Sequence, residues 1–170
     1  MTTPPDSAPL MSALNFTPED LAANREGRLS EPQRERLRAA RRRTLRIGIA
    51  SIVVVVLLAT TALYFGQVNE AGVLSFVGVA LTICGAAVSG VLVRNWYRLT
   101  SDLERDTVQT LAGTVEHTVR VSGRVANYIL RIDGQELNVP KPVFLSLQNG
   151  GQYRLYRTPA AQVLLAGERG

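Results

Sequence analysis

Apolar positions along this chain gather into two long blocks and then change to short alternation. Residues 47–65 and 71–93 carry no charge, and Glu70 is the only formal charge between Arg46 and Arg94. A helix rises ~1.5 Å per residue, so ~20 apolar residues cross a hydrocarbon core of ~30 Å. Two such blocks so close together predict an antiparallel membrane hairpin. Its first transmembrane helix runs over 44–66, an external loop over 67–72 and the second helix over 73–97.

Ahead of the hairpin the pattern is sparse. Residues 1–13 hold three prolines and no apolar period, which predicts a mobile tail. Over 14–43 the chain reads as a helical pair with a basic juxtamembrane end. Thr17 suits an N-cap, with Pro18 in the first helical position and Glu19 and Asp20 in the first turn. Gly27 suits the left-handed residue that ends that helix. Ser30 caps the next, and Gln33 completes a capping box three residues on. No breaker intervenes before Ile47, so the second helix is expected to run on into the first span. Phe16, Leu21, Leu29 and Leu37 are too few to offset the ordering of this pair, so it must firm up against something else.

Beyond the hairpin, residues 98–106 extend the second helix as a mixed-charge stalk. Residues 107–168 then alternate as strands do: Val115, His117, Val119 and Val121, then Tyr128, Leu130 and Ile132, then Leu137 and Val139. Asp133-Gly134 between two such runs marks a hairpin. Residues 143–147 form a helical turn, and strands follow over 152–158 and 163–166, with Tyr153 and Leu155 facing the core and Tyr156 facing out. The fold class is therefore a membrane α-helical hairpin plus a small all-β domain, an SH3-like or OB-like partial barrel.

Charge sets the sidedness. Eight arginines lie within 27–46, and Arg94, Arg98 and Arg105 follow the second span, whereas the loop between the spans has no basic residue. The positive-inside rule then puts both termini in the cytoplasm of a two-pass protein of the cell (inner) membrane. Arg38, Arg41, Arg42, Arg43, Arg46, Arg94 and Arg98 act as topology determinants in contact with lipid headgroups. Tyr64, Phe65, Trp96 and Tyr97 fall where amphipathic rings settle as interfacial anchors.

The two spans differ in composition. The first reads as smooth and lipid-facing. The second places Gly78, Thr82, Ala86 and Gly90 at every fourth position, a ridge, widened by Gly85 and Ser89, where another helix backbone can approach. That backbone belongs either to the first span or to another copy. Neither span holds an ionisable residue of the kind that marks a transport path.

Catalytic chemistry has little footing. His117 is the only histidine, and Cys84, the only cysteine, lies in the second span, so no triad, metal site or cofactor site is expected. Tyr128, Tyr153 and Tyr156 with Arg124, Arg131, Arg154 and Arg157 supply rings and charge, but no nucleic-acid pattern joins them. A protein or peptide along an exposed strand edge is the natural ligand of such a domain.

Two resemblances add to this. Residues 16–40, with the joint Arg-Glu-Gly-Arg-Leu-Ser-Glu, resemble the SHOCT-type helical oligomerisation modules, which implies self-association. The segment Gly-Gln-Tyr-Arg-Leu-Tyr-Arg-Thr-Pro followed by Val-Leu-Leu-Ala-Gly-Glu resembles the ending of uncharacterised bacterial two-span membrane proteins with a cytoplasmic C-terminal β-domain. Arg157 and Ala166 depart from their pattern. The function expected is that of a non-enzymatic membrane anchor or scaffold presenting cytoplasmic interaction modules, a homo-oligomer or a partner of another membrane protein. The alternative is a small channel or accessory subunit of a transport complex.

Overall fold

The computed structural model describes residues 8–122 and 125–170. Its elements are α1 (Ala8–Leu14), α2 (Pro18–Arg25), α3 (Glu31–Val68), α4 (Gly72–Arg105), β1 (Gln109–Thr114), β2 (Glu116–Ser122), β3 (Val125–Ile132), β4 (Gln135–Val139), α5 (Lys141–Ser146), β5 (Gln152–Arg157) and β6 (Leu164–Arg169). Contacts divide them into two compact units. One joins the chain up to Arg34 to everything from Arg105 onward, and the other is Glu35–Glu104.

The first unit is a small β-domain built from two antiparallel three-stranded sheets, β1-β5-β6 and β2-β3-β4. Only Val115 separates β1 from β2, so one run of chain leaves the first sheet and enters the second there. Val115 is fully buried at that corner. Its carbonyl accepts from the Gly150 N–H at 2.8 Å, and its own N–H donates to the Gly151 carbonyl at 2.9 Å. Asp133 and Gly134 take φ of +50° and +71°, the paired left-handed geometry of a tight turn, and β3 and β4 pair from Ile132↔Gln135 outward. Strand β1 was not anticipated, because Gln-Thr-Leu-Ala-Gly-Thr offers one large apolar residue, Leu111, to alternate on.

The N-terminal segment belongs to this same core. Residues 8–13, expected as part of a mobile tail, form α1 together with Leu14; residues 1–7 of that tail lie outside the described residues. Leu10, Phe16 and Leu21 are buried in one cluster with Leu130, Leu155 and Tyr156. Gly167 of β6 admits this packing: a Cβ there would lie 3.0 Å from Leu10 Cδ2 and 2.7 Å from Leu155 Cδ2. The support that the sparse helical pair lacked is thus the C-terminal half of its own chain. The same cover explains Tyr156, expected outward but 1% exposed. Strand β5 lies between β1 and β6, and the core cluster includes residues of α1 and of the chain before α2.

The second unit holds the two long helices. Both are long and apolar enough to cross a membrane, and only 11% of the apolar stretch of α3 and 6% of that of α4 is buried. Branched and aromatic side chains, among them Ile49, Val53, Leu57, Val73, Phe76 and Ile83, stand exposed around them.

Candidate functional site

The joint between α2 and α3 is a closed polar network. Thr17 and Asp20 form a reciprocal capping box, with the Thr17 N–H donating to Asp20 Oδ2 at 2.9 Å and the Asp20 N–H to Thr17 Oγ1 at 3.2 Å. Gly27 takes φ +77° and ends α2. Ser30 and Gln33 form the second box: the Gln33 N–H donates to Ser30 Oγ and the Ser30 N–H to Gln33 Oε1, both at 3.2 Å. The two boxes are tied together. The Ser30 hydroxyl donates to Asp20 Oδ1, and the amides of Asn24 and Gln33 exchange hydrogen bonds of 2.8 and 2.9 Å. Asp20, Asn24 and Gln33 are buried, so their partners supply what water would.

This joint is clamped to the start of the β-domain. The Val108 N–H donates to the Gly27 carbonyl at 2.9 Å, and Asp106 accepts from the Leu29 N–H at 3.4 Å and from the Arg34 guanidinium. A second clamp centres on Glu168 of β6, which accepts from Arg25 of α2 and, at 2.7 Å, from the Tyr156 hydroxyl. Burial opposes the ionisation of Glu168, but the hydrogen bonds from Arg25 and Tyr156 outweigh it and hold its carboxyl below the ordinary range. Burial, with the bond to Glu168, pushes the Tyr156 hydroxyl up.

On the second sheet, the His117 ring lies 4.0 Å from that of Phe144 in α5, and Tyr128 completes the cluster at 5.1 Å from Phe144. His117 Nε2 is buried without a hydrogen-bond partner, and burial lowers the pKa of the ring. Val119, Val121 and Leu145 are exposed nearby in the chain, on β2 and α5. The His117 N–H donates to Asn149 Oδ1 at 2.9 Å, which caps the start of the β2 edge. Arg157 is buried, and its guanidinium donates to Gln109 of β1 and Gln135 of β4, which ties the two sheets together. Burial lowers its pKa. Of the other residues weighed for nucleic acid, Arg131 pairs with Glu136, Arg154 with Glu168, and Arg124 lies outside the described residues.

Within the helical unit, the residues chosen for packing separate. Gly78 is buried against α3, where a Cβ would lie 2.6 Å from Leu63 Cγ and 3.1 Å from the Ala59 carbonyl. Thr82 donates its hydroxyl to the Gly78 carbonyl at 2.9 Å, and with Ala86 it lines the cleft between the helices. Gly90 faces open space. The seam instead continues through Gly85, whose Cβ would lie 2.5 Å from Val55 Cγ1, then half-buried Ser89 and Leu92. Steps of four advance 400° and drift 40° each time, whereas alternating steps of three and four stay on the partner. The first helix answers with Gly48, Ser51, Val55, Ala59 and Gly66 at the same spacing, a small-residue stripe hidden among its valines. Cys84 is exposed on α4.

Among the arginines flanking the spans, Arg38, Arg42, Arg43 and Arg46 share one recess on α3 and are exposed, Arg41 is half-buried, and Arg94 and Arg98 are exposed on α4. Tyr64 and Phe65 meet edge to face at 5.5 Å near the C-terminal end of α3. Trp96 and Tyr97 are exposed on α4, one turn after the last aliphatic residue of the apolar stretch. No family model, curated protein or solved structure matches this chain.

Proposed function

We propose that this protein is a non-enzymatic two-span anchor of the cell membrane that holds one composite interaction domain at the cytoplasmic face and self-associates. The observation that carries the reading is the pairing of Arg34 with Asp106. Those residues flank the two apolar helices, and both belong to one folded domain, so the chain leaves that domain and returns to it. The exposed aliphatic surface of α3 and α4 then calls for a lipid solvent. The arginines at the domain end and their absence from the loop favour the cytoplasm for that domain.

The domain itself is best read as a small SH3-like or OB-like partial barrel, with the strand run through Val115 shared by both sheets. Its N-terminal helices have spent Leu10, Phe16 and Leu21 on this core, so they have little apolar surface left for another copy. Self-association is therefore assigned to the outer face of α4, where Gly90 is open. The surface of the domain, with Val119, Val121 and Leu145 exposed, is left for a protein partner.

Single cysteines test the topology. In a Cys84→Ser background, Asn69→Cys is expected to react with an impermeant maleimide on intact cells. Gln162→Cys is expected to react only after the membrane is opened. Reaction of Gln162→Cys on intact cells, or release of the protein by an alkaline carbonate wash, overturns the reading.

A further inference from the structure

At the domain end of the helical pair, α3 and α4 part around an apolar slot of about 250 Å³. Gly48, Ile52, Leu92 and Trp96 are among its walls, and Thr44 stands at its upper edge. The slot exists because Gly48 has no side chain; a Cβ there would sit at ordinary contact, 3.5 Å from Leu92 Cδ1, and anything longer would project into the space. One turn above Leu45 on the same face of α3 lies Arg41, half-buried and without an ion pair among the described residues. The Trp96 indole N–H likewise has no hydrogen-bond partner among them.

An arginine one helical turn from an apolar slot that has an indole in its wall asks for a ligand with an acidic head and an aliphatic tail. We propose that this slot binds one anionic phospholipid, its phosphate on Arg41 and the upper part of an acyl chain along Gly48, Ile52 and Trp96. The inference rests on the membrane reading above. Three features select this occupant. Arg41 is half-buried, and so has less freedom than the exposed Arg42 and Arg43 beside it. Eight arginines face three acids over 35–46 and 94–104, so the surroundings favour an anion. The slot also opens on the exposed aliphatic surface of both helices, which is where an acyl chain would come from. Arg42 and Arg43 serve as an internal contrast, since they line a different recess on α3.

Trp96 is the only tryptophan, so its fluorescence reports on the slot directly. The full-length protein in neutral detergent is titrated with dibrominated phosphatidylglycerol or dibrominated phosphatidylcholine. Quenching by the anionic lipid is expected at about five-fold lower mole fraction. Arg41→Gln removes that preference and leaves quenching by phosphatidylcholine unchanged, while Arg42→Gln keeps the preference. Gly48→Leu, which fills the slot with Arg41 intact, also removes it and covers the case where Arg41→Gln is unstable. Equal quenching by both lipids in the native protein overturns the proposal and leaves the membrane reading standing. Loss of preference in Arg42→Gln equal to that in Arg41→Gln overturns it in favour of a diffuse basic surface. Quenching by neither lipid removes the membrane reading and this proposal with it.

Discussion

Arg34 and Asp106 are 72 residues apart in the chain, yet the Arg34 Nε–H donates to Asp106 Oδ1 at 3.1 Å, and a second guanidinium nitrogen donates to Oδ2. The same carboxylate takes the Leu29 N–H, so one acid gathers the α2–α3 joint and the entry to the β-domain. About a third of each side chain remains exposed, and water screens the pair. Arg34→Ala is expected to cost the domain only ~0.5–1 kcal/mol by thermal or urea unfolding. Asp106→Ala loses the backbone acceptor as well and costs more than Arg34→Ala. A double-mutant cycle that finds no coupling between these residues would remove the clamp from the account.

The buried amide pair carries a larger penalty. Asn24→Ala leaves the Gln33 amide buried with its donor to Asn24 unanswered, at a cost of ~1–3 kcal/mol. For a domain of this size that lowers Tm by about 5–15 °C. Asn24→Leu with Gln33→Leu removes both amides but also strips the Ser30 N–H and the Arg28 carbonyl of their partners, so it should recover only part of the loss. A single variant Asn24→Ala as stable as the native protein would show that the amide pair is not what holds the joint.

Acid should weaken the domain in two stages. Burial lowers the pKa of His117 from its ordinary 6.5, so the folded state disfavours the imidazolium and the unfolded chain binds more protons. Its contribution is whole above about pH 6.5 and is lost as pH falls from there through the folded pKa. Glu168 acts lower, because its carboxyl is held below the ordinary range, and its share goes only as pH falls through that depressed value. His117→Phe should flatten the first stage and leave the second, read as urea midpoints from about pH 7.5 down to about pH 2.5. A variant with the native slope would place the first stage elsewhere.

Local chemistry made most of these elements legible. The Thr17 and Ser30 boxes, the left-handed Gly27 and the Asp133-Gly134 turn each follow from a residue type with one strong backbone preference, and each stands where that preference put it. Residues 8–14 gave no such signal. Their order comes from Leu10 meeting Gly167 on a strand more than 150 residues away, a relationship no local pattern encodes. Tyr156 misled for the same reason, since alternation names two faces of a strand but not what covers the second. Arg157 shares the inward register of Tyr153 and Leu155, but an arginine is seldom buried without partners that its own strand does not supply. Only the meeting of β1 and β4 around it supplies Gln109 and Gln135. In the helical pair the small residues are visible on α4, but a period of four drifts off the partner by Gly90, and the matching positions on α3 are hidden among its valines.

That correction of period yields the sharpest division among variants. Gly78 and Gly85 face α3, where an added Cβ would stand 2.6 Å from Leu63 Cγ and 2.5 Å from Val55 Cγ1. Close approach of helix backbones is what small residues provide in membranes, and overfilling a packed contact costs ~1–3 kcal/mol. Gly85→Leu should therefore loosen the pair itself, seen as faster unfolding in denaturing detergent and as lost crosslinking between Ser51→Cys and Ser89→Cys in a Cys84→Ser background. Gly90→Leu meets open space in the same chain, so it should leave that crosslink intact. If copies associate through the outer face of α4, Gly90→Leu instead reduces the multimers captured by lysine-independent crosslinkers in native membranes. Gly85→Leu that spares the intrachain crosslink would contradict the seam. Gly90→Leu with undiminished multimers would move self-association to another face.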